Sequence, residues 1–300
     1  MTSKQEPIKL DFSRHLKNSA RDYWWDEDFL DLMQRRLGLE KCKNALDVGC
    51  GIGHWTKRIH PFLGGESKIT GIDYNAQWIK EAKNGESQNI SFMEGSAYDL
   101  PFPDEIFDFV TCQTLFMHLD QPEKALKEMY RVLKKGGIIF IAEANNYGNL
   151  IRSNSGLDSL SLDERIEHAR LYALLEEGKK IAGDGFMGIT YQIPSLLNKL
   201  HFKEIKNYRN DGVCNMHPPY QEANQQAFIK MILDFSDQGY VFIYPRPSAE
   251  KYLDIVCNPD VKERLINLSD KLYQIYKKQI SSKTFEGNFA GEVIINTAVK

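Results

Sequence analysis

The amino-acid sequence predicts an α/β protein built on an open parallel sheet, and three observations carry that reading. Short apolar runs at 45–48, 68–72, 90–93, 107–112 and 138–142 alternate with stretches of helical period. Gly49, Gly51 and Gly53 follow the first run directly, removing Cβ atoms that would hold a ligand off the backbone and permitting a sharp turn. Asp73 closes the second run. Five strands with intervening helices within roughly a hundred residues indicate a parallel sheet, in which ligands lie beyond the carboxyl ends of the strands.

Ahead of the sheet, Phe29, Leu30, Met33 and Leu37 recur at helical spacing, Arg35 and Arg36 occupy the last turn, and Gly38 supplies the stop. After the glycines a helix from about His54 is cut short by Pro61, and Asn75 caps a helix that turns Trp78, Ile79 and Ala82 inward. Pro122 opens a helix striped by Ala125, Leu126, Met129 and Leu133, closed by Lys134, Lys135 and Gly136. The run 138–142 is continuously apolar, as a strand covered on both faces should be.

Beyond Asn146 the alternation loosens. Ser161-Leu162-Asp163-Glu164 has the form of a capping box and predicts a helix towards Ile181, with Gly178 its weak point. A short helix at 194–200 and a strand at 202–208 follow, and 291–298 reads as a final strand. Between them Phe228, Met231, Ile232 and Phe235 form one helical stripe, and Val261, Leu265, Leu268, Leu272 and Ile275 another.

Composition narrows the function. The 300-residue chain carries 38 basic and 41 acidic residues, a net charge of -3, so it has no bulk field to attract polyanions and nucleic acid is disfavoured as a partner. Five widely spaced cysteines without a C-x-x-C pair or a histidine cluster argue against disulfides and a metal site. The first ten residues lack the apolar run of a signal peptide, and no apolar run is long enough for a membrane span. A reduced, cytoplasmic setting is expected.

The ligand follows from spacing and charge. A glycine loop after the first strand with a carboxylate at the end of the second suits a ribose, whose vicinal hydroxyls Asp73 can accept. Both a nicotinamide dinucleotide and S-adenosylmethionine carry one. The spacing here is G-x-G-x-G, with His54 and Trp55 where the dinucleotide fingerprint G-x-G-x-x-G needs close helix packing. Asp47, two residues before the first glycine, would repel a pyrophosphate and attract an ammonium or sulfonium.

Leu46-Asp47-Val48-Gly49-Cys50-Gly51-Ile52-Gly53, Gly71-Ile72-Asp73-Tyr74, the stretch from Gly95 to Asp104 with Phe107-Asp108-Phe109-Val110 behind it, and Leu133-Lys134-Lys135-Gly136-Gly137 resemble the successive motifs of class I S-adenosylmethionine-dependent methyltransferases. The likeness is to their ubiquinone-biosynthesis-like group of small-molecule enzymes and spans roughly 43–145. It implies a Rossmann-like, seven-stranded, mostly parallel sheet whose last strand is antiparallel, with 202–208 and 292–298 pairing across a long insertion. It further implies that Gly49, Gly51 and Gly53 line the methionyl arm near Asp47, that Asp73 holds the ribose, and that Tyr74 lies against the adenine. Ser96 stands where the family usually has Asp, with Ala97 beside the ring and Gln113 near the methionyl end.

Methyl transfer is an in-line displacement, so the protein's main task is alignment, with a base needed only if the acceptor must lose a proton. His118 is the candidate base, against the competing reading of a cap or packing histidine. Trp24, Trp25 and Tyr191 are candidates for an apolar acceptor pocket, which Tyr240, Phe242 and Tyr244 could extend; aromatic residues in such segments also build cores. The expected layout is an N-terminal helical cap (1–42), a cofactor-binding core (43–150), a helical insertion (151–185), a continuation of the core (186–211), a second helical insertion (212–287) and a final core strand (288–300). The expected activity is methyl transfer from S-adenosyl-L-methionine to a small-molecule acceptor, without a metal. An NAD(P)-dependent oxidoreductase and a non-catalytic S-adenosylmethionine-binding protein are the competing readings.

Overall fold

The computed structural model describes residues 20–145, 154–289 and 292–300. The expectations for the N-terminus before Ala20 and for Gly291 lie outside the described residues. In chain order the elements are α1 (Glu27–Leu37), β1 (Asn44–Val48), α2 (His54–Ile59), β2 (Lys68–Asp73), α3 (Ala76–Ala82), β3 (Ile90–Glu94), β4 (Phe107–Gln113), α4 (Pro122–Val132), β5 (Leu133–Ala144), α5 (Ser155–Asp158), α6 (Leu162–Ile181), α7 (Ile193–Lys199), β6 (Lys203–Arg209), β7 (Cys214–Met216), α8 (Ala223–Asp237), α9 (Arg246–Val256), α10 (Pro259–Ser281), β8 (Gly287–Phe289) and β9 (Val293–Val299). They fall into two compact units. A sheet unit lies within Arg21–Asn149, Asp184–Gly212 and Ala290–Lys300, and a helical unit within Leu150–Gly183 and Val213–Phe289.

The sheet unit has seven strands in the order β3-β2-β1-β4-β5-β9-β6. Strands β1 to β5 are parallel, and β9 runs antiparallel to both β5 and β6. Because the five parallel strands share a direction, the loops after β1, β2, β3 and β4 emerge on one edge, where the strand order reverses between β1 and β4.

One face of this sheet is covered by α1 and α2. Phe29, Leu30 and Met33 of α1 join Trp25, Trp55, Ile59 and Phe140 in a single apolar cluster, with the Trp25 ring 4.9 Å from Trp55 and 6.5 Å from Phe140. Helix α1 ends as its residues dictate, on Gly38 in the left-handed conformation with φ 69°. The segment expected to be a cap therefore belongs to the core of the sheet from Trp25 onward, since its apolar stripe has a sheet face to bury against. Trp25, only 1% exposed, is corrected from a pocket-lining residue to a core residue.

The helical unit joins the two stretches expected to be insertions. Leu157 and Leu160 from the first pack with Leu268 and Leu272 from the second. Helix α6 starts on the expected capping box, with both the Ser161 and the Glu164 hydrogen bonds formed. Gly178 does not interrupt it: a Cβ there would sit 2.1 Å from the carbonyl oxygen of Tyr252, so glycine is what lets α6 and α9 approach. The small sheet of β7 and β8 and the helix α9 were not anticipated. Tyr240 and Tyr244 are buried, and the Tyr244 hydroxyl donates to the buried Glu176, which makes them core residues of this unit.

Candidate active site

The glycine loop leaves β1 with Gly49, Gly51 and Gly53 at φ 73°, 54° and 78°, all in the left-handed region. It is tied to β2 by three amide N–H groups. Those of Gly49 and Cys50 both donate to the Ile72 carbonyl, at 2.7 and 3.0 Å, and that of Gly51 donates to Asp73 Oδ2 at 2.9 Å. The other Asp73 oxygen accepts the Asn75 N–H at 2.9 Å, and burial raises its carboxyl above the ordinary range despite these amides. Each carboxylate oxygen retains a lone pair beyond those contacts, so holding the loop leaves Asp73 able to accept ligand hydroxyls.

The three glycines do different work. Gly49 and Gly51 are half-buried, whereas Gly53 is buried. A Cβ at 53 would lie 2.4 Å from the Phe92 ring, so this glycine lets β3 pack under the start of α2. Gly53 thus has a packing reason of its own, beside the ligand-lining role expected for it, and the more open loop surface belongs to Gly49 and Gly51.

Asp47 is fully buried at the end of β1. Its Oδ2 accepts the Thr56 hydroxyl at 2.6 Å, while Oδ1 has no hydrogen-bond partner among the described residues. Burial pushes its carboxyl up to about 7, the Thr56 hydrogen bonds opposing and the Asp73 charge adding to the rise. On the neighbouring strand Asp47 pairs with Thr111, and Gln113, two residues on, lies on the same face by the alternation of side chains. The Gln113 Nε2 is likewise buried without a partner among the described residues. An unmet acceptor and an unmet donor thus stand at the ends of adjacent strands beside the glycines, and buried polar groups left this way call for a partner from outside the fold.

The remaining expected residues flank this edge. Tyr74 is 62% exposed immediately after Asp73. Ser96 and Ala97 are half-buried after β3, with the Ser96 Oγ accepting the Tyr98 N–H at 3.1 Å and a second lone pair left over. Beyond β4 the chain turns at Thr114, a non-glycine residue at φ 51°, into a short 3-10 turn, Phe116–His118. His118 is exposed on that turn. Tyr98 reaches across to Asp120 with an O–H···O contact of 2.5 Å, joining the loops after β3 and β4. Trp24 is half-buried under the Arg21 guanidinium, 5.4 Å from its ring. Tyr191, also 62% exposed, donates to Asn145 Oδ1 at 2.9 Å.

Two residues of this edge were missed from the sequence. Glu143 stands directly after the apolar run 138–142, still within β5, and a carboxylate at the end of such a run is itself a signal. Arg21 precedes the aromatic cluster and carries no motif.

Residues 46–141 match the methyltransferase domain family. Over these residues the α/β core is similar to a methyltransferase domain. A demethylmenaquinone methyltransferase from Geobacillus stearothermophilus is 35% identical over 140 residues, 45% of this chain and 55% of that protein. One from Listeria welshimeri is 33% identical over 132 residues, 43% and 51% of the two chains. The chain thus spans about half the length of the curated relatives it matches. Among solved structures, the YcgJ protein of Bacillus subtilis aligns over 92% of this chain and 99% of its own with 18% identity and a TM-score of 0.48.

The residues of the methyltransferase domain fit its cofactor. The unpaired Asp47 oxygen offers an acceptor to a cation, and the unpaired Gln113 amide offers a donor to a carboxylate, the two charges that the methionyl end of S-adenosylmethionine carries. Asp73 would hold the ribose, and the Ser96–Ala97 turn and Tyr74 would border the adenine. A pyrophosphate would instead meet two carboxylates, Asp47 and Asp73, at close quarters.

Proposed function

We propose that this chain transfers a methyl group from S-adenosyl-L-methionine to a small-molecule acceptor. The observation that carries the reading is the pair of unmet polar atoms, Asp47 Oδ1 and Gln113 Nε2, at the ends of adjacent strands beside the glycine loop. When bound, the cofactor supplies a methyl carbon already activated by a sulfonium. The protein's own share is to hold the donor by its charged end and its ribose, to exclude water, and to present the acceptor in line. His118, exposed on the turn after β4, is the group we assign to take a proton from the acceptor where one must leave. Trp24 and Tyr191 are the side chains we assign to acceptor contact.

The relatives are named for demethylmenaquinone, but the family match is confined to residues 46–141, which hold none of the helical unit. The acceptor is therefore not carried over from them, and demethylmenaquinone is one member of the library to be tried. No helix of the described residues is long and apolar enough to cross a membrane, and the five cysteines are free thiols, in keeping with a reduced, cytoplasmic setting. Calorimetric titration with S-adenosylmethionine, S-adenosylhomocysteine and NAD tests the cofactor. Release of S-adenosylhomocysteine in the presence of acceptors tests the transfer. Binding of NAD with no binding of S-adenosylmethionine would overturn the assignment, and cofactor binding without turnover across the library would leave a sensor rather than an enzyme.

A further inference from the structure

Glu143 of β5 is fully buried and has no part in the reading above. Its Oε1 accepts the backbone N–H groups of Leu115 and Phe116, each at 2.8 Å, and its Oε2 accepts that of Met117 at 3.4 Å. Three successive amides aimed at one carboxylate make a closed anion nest in which the anion belongs to the chain itself. Arg21 sits in the field of this carboxylate, with Nη1 3.5 Å from the Thr114 hydroxyl and its guanidinium stacked on Trp24.

What this arrangement holds is the turn that faces the glycine loop. Leu115 packs directly over Gly49, where a Cβ would fall 2.7 Å from its Cδ1. On the other side of the turn, a Cβ at Gly185 would come within 2.4 Å of the Met117 carbonyl oxygen. The turn is thus confined by backbone contact at Gly185, by packing at Gly49 and by the carboxylate behind its amides.

We propose that Glu143 is a positioning residue: its carboxylate fixes the turn 115–118 in the register that seats Leu115 on the glycine loop, so that affinity for S-adenosylmethionine depends on a residue outside the glycine loop and Asp73. The dependence on affinity rests on the cofactor assignment; the fixing of the turn does not. Glutamine at 143 would present one acceptor oxygen and turn an NH2 donor toward amides that are themselves donors. Aspartate would keep the charge and fall one methylene short.

The test compares wild type, Glu143→Gln, Glu143→Asp and, as an equally core-directed control, Leu126→Ala in α4. It measures thermal melting, hydrogen–deuterium exchange at 115–117 and S-adenosylmethionine affinity by calorimetry. Folded Glu143→Gln is expected to exchange at 115–117 about tenfold faster and to bind about tenfold more weakly. Glu143→Asp should recover part of both, and Leu126→Ala should lower the melting temperature without moving either. Should Glu143→Gln not fold, the intermediate behaviour of Glu143→Asp carries the test. Exchange and affinity within about twofold of wild type in the folded variants overturn the proposal, as does a matching loss in Leu126→Ala. Faster exchange with unchanged affinity overturns its link to the cofactor. Wild type that does not bind S-adenosylmethionine overturns the cofactor assignment and with it that link, while the exchange data still decide whether Glu143 holds the turn.

Discussion

Asp47 at the end of β1 and Glu143 on β5 are both fully buried carboxylates, yet the fold treats them in opposite ways. Glu143 is met by three amide N–H groups. Asp47 is met by Thr56 and keeps an oxygen unused. A buried carboxylate surrounded by donors organises the chain around it, whereas one left partly unmet is held in readiness for a partner, and its raised carboxyl is the cost of that readiness. At this one sheet edge one carboxylate thus holds neighbouring backbone and the other keeps an acceptor open.

The sharpest way to break this contrast is Glu143→Ala, which leaves three backbone amides without their acceptor and removes the charge in whose field Arg21 lies. Chemical denaturation should show a loss of about 3–5 kcal/mol, and a loss under about 1 kcal/mol would mean the carboxylate organises nothing. Asp73→Ala comes next, because Asp73 fastens Gly51 and Asn75 and is also the residue proposed to hold the ribose. Its cofactor affinity should fall by about 1.5–3 kcal/mol, read by calorimetry, and unchanged affinity in a folded variant would place the ribose elsewhere.

A smaller effect separates the glycines. Gly53→Ala forces a methyl group against the Phe92 ring at a left-handed position, and should cost about 1–3 kcal/mol of stability in urea denaturation. Gly49→Ala meets the Leu115 side chain, its Cδ1 at 2.7 Å and its Cβ at 3.3 Å, at an equally left-handed position, and should weaken the dissociation constant for the cofactor as well as lower the denaturation midpoint.

The smallest effect is one of pH. The Asp47 carboxyl is raised in the folded protein to about 7, so the folded state holds this proton more tightly than the unfolded chain does. Its contribution to stability is present below the unfolded value, near 3.8, and is lost as pH rises through about 7. A cationic ligand needs the ionised form, so affinity for S-adenosylmethionine should strengthen from pH 6 to pH 7.5 by roughly tenfold. Binding at pH 6 should release a proton, seen as a dependence of the calorimetric enthalpy on the buffer, and Asp47→Asn should flatten both.

The parallel half of the sheet was legible because β1 to β5 are apolar runs interleaved with capped helices, and periodicity reports burial directly. The strand at 293–299 was legible for the same reason. Strands β7 and β8, three residues each and joined from distant parts of the chain, are too short for alternation to register. Among candidate site residues, Asp47, Gly49, Gly51 and Asp73 were legible from their spacing around the ends of the first two strands. The packing of Gly53 against Phe92 was not legible, because a glycine that admits a ring looks the same in sequence as one that admits a ligand. Trp25 was misjudged because an aromatic residue announces area to be buried without saying against what. Glu143 escaped because its partners are backbone amides, which no side-chain pattern reveals.

The place of β9 between β5 and β6 bears on how the chain is made. Strand β6 is attached to the sheet only through β9, and β9 is synthesised after α8, α9 and α10. While the ribosome adds those helices, β5 has an open, strongly apolar edge and β6 has nothing to pair with. The sheet can close only once β9 has been made, after every helix of the described residues.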